Sequence, residues 1–385
     1  MPAVFGLLLP LALGVLLLYF FSFDGKRADL EKSAAELFGV PVKIGSAKLW
    51  VLTGPQWMVE DVTIGTDADA VKIARVKLGL SSLFGSPARF DSIQMEGPRI
   101  PPAMALKLLI GTSGNAVLQS GELTATGLVI AGAQGMPPLN LRASWREGRL
   151  TKVSGQGENA ESGKISLDMS RADQWQLTLG ATQVRWILGP SLPLTDVALK
   201  ADLTPGGMTV SEFSGNLFDG EIAGSGNLTW QNNWRAAAKL EAKLLDPIKF
   251  ASAWAQDGRV NGNAAIVAEA ANPAELMSRA RISGSFNMGR GALAGIDLDK
   301  VAQEGGLGEQ CRFESLKGDF YSDSHRIEIS DLRLVAGALK ASGALSVAPD
   351  RAVSGQIAVE VQSAGMRRGA GVRVGGSLAK PQYHR

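Results

Sequence analysis

Residues 339–347 alternate in hydrophobicity with period two. Leu339, Ala341, Gly343, Leu345 and Val347 fall on one side of an extended chain, and Lys340, Ser342, Ala344 and Ser346 on the other. The same alternation runs through 222–230: Ile222, Gly224, Gly226, Leu228 and Trp230 stand against Ala223, Ser225, Asn227 and Thr229. Both strands belong to longer units that resemble one another. Val210 to Trp230 aligns with Ile329 to Val347 after a two-residue gap, each reading hydrophobic-Ser-acidic-hydrophobic, then a glycine, then Ser-Gly inside the alternating run. Each unit predicts a hairpin, with Gly220 and Gly337 at the turns and Gly224, Gly226 and Gly343 leaving the apolar face shallow. Ser154 to Met169, ending in Ile165, Leu167 and Met169, and Ile282 to Met288 are weaker copies. Such recurrence predicts a repetitive, mostly antiparallel β architecture.

Before these copies, Val42 and Ile44, Trp50 to Leu52, Trp57 to Ile64, Val71 to Leu80 and Ile93 to Ile100 read as strands punctuated by Gly and Pro. Glu122 to Thr126 and Leu139 to Trp145 continue the series. Helical spacing is rare. Arg27 to Phe38 places Leu30, Ala34, Leu37 and Phe38 on one face and stops at Gly39 and Pro41, predicting a short helix packed on the first strands. Brief helices are also expected in 101–109, after Asn272-Pro273, and over Asp297 to Ala302.

Val4 to Phe23 is an uncharged run of twenty residues, long enough to cross a bilayer as a helix. No basic stretch precedes it and no small-x-small cleavage site follows, which favours a retained anchor over a signal peptide. Lys26, Arg27 and Lys32 follow the span, offset by Asp24, Asp29 and Glu31, so flanking charge does not fix orientation. The chain divides into an anchor (1–23), an N-terminal region of helix then strands (24–100), central β repeats (101–280) and a C-terminal β region (281–385). No Pro-rich or charged linker separates the halves, which predicts one continuous structure.

Composition narrows the chemistry. A formal charge of +2 over 385 residues, with no Lys/Arg block interleaved with aromatics, argues against nucleic-acid binding. The single cysteine, Cys311, excludes an intramolecular disulfide. His325 and His384 are the only histidines and neither has a second ligand at metal spacing. Asp297 and Asp299 read as capping carboxylates, and the eight tryptophans as core anchors. No cofactor, metal site or catalytic residue is expected.

The N-terminal VPVKIGSAKLWVL, WMVEDVTIG and Val71 to Ile100, with the preceding anchor and helix, resemble the AsmA family of bacterial envelope proteins. So do Gly289 to Val301, Arg312 to Val347 and the closing VRVGGSLAKPQ. The region 101–149 is less typical of that family. The resemblance implies an elongated, curved β-sheet groove with an apolar lining, anchored by one span in the bacterial inner membrane with its bulk in the periplasm. It also implies a role in outer-membrane biogenesis or phospholipid movement.

The apolar strand face is the candidate site, since exposed contiguous apolar surface needs a ligand or partner. Ile222, Leu228, Trp230, Leu339, Leu345, Val347, Ile357, Val359 and Val361 are expected to line a trough for phospholipid acyl chains. A scaffold that binds outer-membrane polypeptide on the same face and on the sheet edges is the alternative. An envelope hydrolase is a distant third.

Overall fold

The computed structural model describes residues 24–38, 40–50, 56–66, 70–80, 90–101, 120–131, 137–146, 149–159, 163–171, 174–185, 192–272, 275–303, 309–363 and 366–384. The apolar run Val4 to Phe23 and the expected helix in 101–109 lie outside them, apart from Pro101. Among the described residues no helix is long and apolar enough to cross a membrane. The protein is mainly β and forms two compact units, 1–184 with 203–205, and 185–202 with 206–385. The division falls inside the region expected to hold the central repeats.

In the first unit, helix α1 (Asp24–Phe38) precedes β1 (Val42–Lys43), β2 (Ser46–Trp50), β3 (Gln56–Ile64), β4 (Val71–Leu80), β5 (Phe90–Glu96) and β6 (Arg99–Ile100). Then come β7 (Ser120–Ile130), β8 (Leu139–Arg146), β9 (Arg149–Asn159), β10 (Gly163–Arg171) and β11 (Trp175–Arg185). The strands from β7 on pair antiparallel with their chain neighbours, whereas β5 and β6 both run parallel to β7. Leu30, Ala34 and Ala35 of α1 pack on a core of Val42, Ile44, Val59, Val62, Ile64, Val71, Ile73 and Val76, so the helix covers the first strands as its apolar stripe predicts. Glu31 fastens it there by accepting the Ile44 backbone N–H at 2.8 Å. On the opposite face Glu96 meets Lys77 at 3.0 Å and Arg75 at 2.9 Å. The Lys77 hydrogen bond, helped by both cationic charges, holds its carboxyl below the usual range.

The second unit contains β12 (Pro193–Thr204), whose last residues cluster with the first unit, then β13 (Gly207–Leu217), β14 (Gly220–Thr229) and β15 (Trp234–Leu245). Helix α2 (Ile248–Ala251), β16 (Ala255–Asp257), β17 (Val260–Ala270), a 3₁₀ turn (Met277–Arg279), β18 (Arg281–Met288), β19 (Gly291–Ala294), α3 (Leu298–Gln303) and β20 (Gln310–Phe313) follow. The chain closes with β21 (Ser315–Ser322), β22 (Ile327–Ala336), β23 (Leu339–Val347), β24 (Val353–Ser363), β25 (Met366–Ser377) and β26 (Lys380–His384). Strands β13, β14, β15, β17, β18, β21, β22, β23, β24, β25 and β26 form an antiparallel meander in that order. Two excursions leave it. Residues 246–259 and 289–314 supply β16, β19 and β20, which pair into a separate three-stranded sheet.

The repeated hairpins are present as β13–β14 and β22–β23, and their shared Ser-acidic dipeptide is a β-bulge. Register slips by one residue between Val210 and Phe213 and again between Ile329 and Leu332, so Ser211-Glu212 and Ser330-Asp331 are the bulged pairs. A third bulge, between Ala125 and Leu128, holds Gly127. Bulges increase local twist and bend the strand. Asp331 (φ 49°) and Gly127 (φ 69°) take the left-handed region, which Asp and Gly tolerate better than bulky residues. Asp331→Val is therefore expected to lower stability by about 1–2 kcal/mol, while Asp331→Gly stays near neutral, both read from urea midpoints.

The two expected turn glycines differ. Gly337 takes φ 59°, as expected. At the equivalent turn Phe218 (φ 49°) and Asp219 (φ 59°) carry the positive angles, a type I′ pattern. Gly220 is needed for a different reason. A Cβ there would lie 2.5 Å from the Lys243 carbonyl oxygen and 2.7 Å from that of Leu244.

Candidate functional site

The alternation puts one apolar face on the second unit's meander, and pairing aligns that face into rows across the strands. One row runs Ile222, Ala242, Gly262, Phe286, Gly318; the next runs Gly224, Leu240, Ala264, Gly284, Phe320. In both rows each large side chain has only Gly or Ala beside it on the neighbouring strands. Beside Gly226 and Gly343 the nearest atoms are backbone and the Ala238 methyl, which leaves the face shallow as expected, whereas at other glycines bulky neighbours use the room. A Cβ at Gly224 would meet Leu240 Cδ2 at 2.6 Å, one at Gly284 would meet Phe320 Cζ at 2.8 Å, and one at Gly355 would meet Leu345 Cδ2 at 2.5 Å. Large residues lie over the neighbouring strand's backbone, keeping the face low in profile.

Cover over this face is uneven. At β22–β25 it is closed by a cap made of α3 and the small sheet. Met288, Ile296, Leu298, Val301, Cys311 and Phe313 pack there on Leu334, Leu339, Ala341, Val359, Val361 and Val372. Asp297 starts α3 by accepting the backbone N–H groups of Asp299 (3.1 Å) and Lys300 (3.3 Å), the capping role its spacing predicts. The Trp254 indole N–H donates to the Leu378 carbonyl at 2.8 Å, and its ring meets Tyr383 edge-on at 6.4 Å. Burial pushes the Tyr383 hydroxyl up to about 12. At the other end the 3₁₀ turn brings Leu276, Met277 and Ala280 onto Leu228, Trp234, Ala236, Ile266 and Ile282.

Between these covers the face is half-buried. Along β14 beyond Gly220, and along β15, its residues do not reach the burial found under the cap, and the opposite face is exposed. Gly262 and Ala264 of β17 and Gly284 and Phe286 of β18 are half-buried in the same way.

The nine expected lining residues therefore divide. Leu339, Val347, Val359 and Val361 are 4%, 6%, 1% and 7% exposed and form closed core. Leu345 and Ile357 are partly buried at the margin of the cap, Leu345 near Val353, Val374 and Trp254. Ile222, Leu228 and Trp230 lie on or beside the half-buried stretch, where Trp230 stacks on Trp234 at 5.6 Å. Sequence reasoning missed Leu240, Ala264 and Phe286, whose alternation in β15, β17 and β18 carried the same signal.

The other chemistry-bearing residues take structural roles. Cys311 is buried in the cap and burial raises its thiol. His325 lies in an exposed turn where Asp323 accepts its backbone N–H at 2.8 Å. Trp145 and Trp175 are buried core anchors in the first unit. Among the described residues no group of three His, Cys, Asp or Glu side chains is placed to hold a metal ion. A shallow open hollow of ≈ 180 Å³ lies beside Ile222, but Asp196, Glu221, Glu241 and Lys243 rim it with charge. Compared with protein-family models, curated proteins and solved structures, the chain matches none.

Proposed function

We propose that the half-buried apolar face of β14, β15, β17 and β18 holds phospholipid acyl chains. In this reading the protein is an AsmA-like envelope protein, anchored in the bacterial inner membrane by Val4 to Phe23 with its bulk in the periplasm, acting in lipid homeostasis or outer-membrane biogenesis. The observation that supports it is apolar surface lying flat and partly open between two covered ends. Such a surface needs no catalytic group. Each CH₂ it keeps from water is worth about 0.8 kcal/mol, so a bound acyl chain retains much of what it loses on leaving a bilayer.

The test is lipid retained by full-length protein purified in mild detergent, identified by mass spectrometry after solvent extraction. Leu240→Glu and Phe286→Glu place a carboxylate on the half-buried stretch, where solvent still reaches it. Each is expected to leave the protein folded and to lower bound phospholipid about tenfold, a loss of about 1.4 kcal/mol. Undiminished phospholipid in both folded variants would overturn the reading.

One observation favours the polypeptide-scaffold alternative. Strand β26 pairs only with Arg373 to Ser377 of β25, and among the described residues no strand lies beyond β25 over residues 366–372. An edge of that kind accepts an extended chain. A proline at Gly371 would block such pairing without touching the apolar face.

A further inference from the structure

Six large apolar side chains stand exposed among the described residues, and three of them fall within 244–250: Leu244 (58%), Ile248 (46%) and Phe250 (49%). They occupy the end of β15 and helix α2, which has no buried residue. The turn between β13 and β14 lies alongside. Phe218 stacks on Phe250 at 5.1 Å, the Asp246 backbone N–H donates to the Phe218 carbonyl at 2.8 Å, and Lys249 Nζ sits 3.5 Å from Asp219 Oδ2. Four large apolar residues thus share one end of these strands.

The backbone there is spent on presenting them. Leu244 lies in a bulge, between Ala242 and Leu245, at φ 57°. The bulges at Gly127 and Asp331 use residues suited to that angle; this one uses a leucine and leaves it facing water. Asn261 Oδ1 fixes the arrangement by accepting the Leu244 N–H at 2.9 Å. Strained backbone that displays apolar surface marks a binding element more than a packing one.

Size and charge select the partner. The exposed parts of these side chains amount to something on the order of 300 Å², well short of the ~800 Å² per partner of a stable protein interface. That is enough for shallow entry into a bilayer's headgroup boundary. The two carboxylates of the tip are neutralised. Asp219 faces Lys249, and Asp246 accepts the Ile248 N–H at 3.0 Å and pairs with Arg259 at 3.1 Å, contacts that hold its carboxyl below the usual range. Lys243 is exposed beside them, opposite Glu221 on β14.

We infer that the tip formed by Phe218, Leu244, Ile248 and Phe250 inserts shallowly into a phospholipid surface, with Lys243 and Lys249 at headgroup level. This stands on its own residues and does not depend on acyl chains occupying the strand face.

The test uses full-length protein with an environment-sensitive fluorophore on Leu244→Cys, Ile248→Cys or Phe250→Cys, and on Val267→Cys as an exposed reference elsewhere on the sheet. Buried Cys311 stays in place, and the unsubstituted chain measures its background labelling. Vesicles of phosphatidylcholine, with and without phosphatidylglycerol, carry nitroxide lipids as quenchers, either as the host bilayer or as added vesicles. Quenching at 244, 248 and 250 is expected to exceed that at 267 several-fold, and Leu244→Asp, suited to the left-handed angle, should cut it at 250 at least threefold. Tip quenching no greater than at 267 overturns the inference, as does shielding of the tip by added envelope protein but not by vesicles. Bound lipid on the strand face is measured separately, so the two proposals fail independently.

Discussion

Val359→Asp is expected to cost the second unit about 3–5 kcal/mol, enough to unfold or nearly unfold it, because the carboxylate would be buried without a partner. Val359 is 1% exposed and sits among Ile296, Leu298, Val301 and Val372, none of which donates a side-chain hydrogen bond. Leu240→Glu, on the same face of the same meander but outside the cap, is expected to cost under about 1 kcal/mol, since its carboxylate stays in contact with water. Urea unfolding followed by circular dichroism reads both. Equal effects would mean that the cap and the half-buried stretch do not differ in solvent access.

Gly284→Ala is expected to destabilise by about 1–3 kcal/mol through overpacking, and trimming its neighbour will not rescue it. The new methyl would meet the Asn263 carbonyl oxygen and lie 3.0 Å from Ala264 Cα, both backbone atoms of the paired strand, as well as 2.8 Å from Phe320 Cζ. Phe320→Leu relieves only the last of these. Gly318→Ala is the contrasting case, since the atoms nearest its methyl belong to the side chains of Leu332 and Phe286, each at 3.1 Å. It should cost less than half as much. Thermal unfolding of the single and double variants separates strand-to-strand backbone approach from side-chain crowding.

Period-two alternation made the strands legible: Val71–Leu80 has the predicted ends, and Gln56–Ile64 and Leu139–Arg146 differ by one residue. The repeat was legible as text, but its meaning was not. Ser211-Glu212 and Ser330-Asp331 look like surface residues of a strand, and only the slipped pairing of Val210/Phe213 and Ile329/Leu332 reveals them as bulges. The apolar face was identified, yet its cover was invisible. Alternation says which way Leu339 and Val359 point and nothing about what lies above them. The cap is built from Ala255–Asp257, Gly291–Ala294 and Gln310–Phe313, strands of three or four residues too short to carry a period, whose partners are distant in sequence. The tip was missed because nothing in the sequence marks Leu244, Ile248 and Phe250 as exposed; their exposure follows a bulge that only the pairing reveals.

Among the described residues, each strand of the meander from β14 to β25 pairs with just two others. Load applied to the C-terminus therefore has no long-range pairing to break at once, and the chain should peel in single-strand steps. The five-residue β26 comes away first, with the Leu378 and Tyr383 links to Trp254 and Ala294. Resistance then rises at β25 and β24, where α3 and the small sheet clamp the strands, and falls again toward β18 and β17. Pulled in an optical trap, the second unit would show its highest rupture force early, at the cap, followed by a run of weak and nearly equal steps.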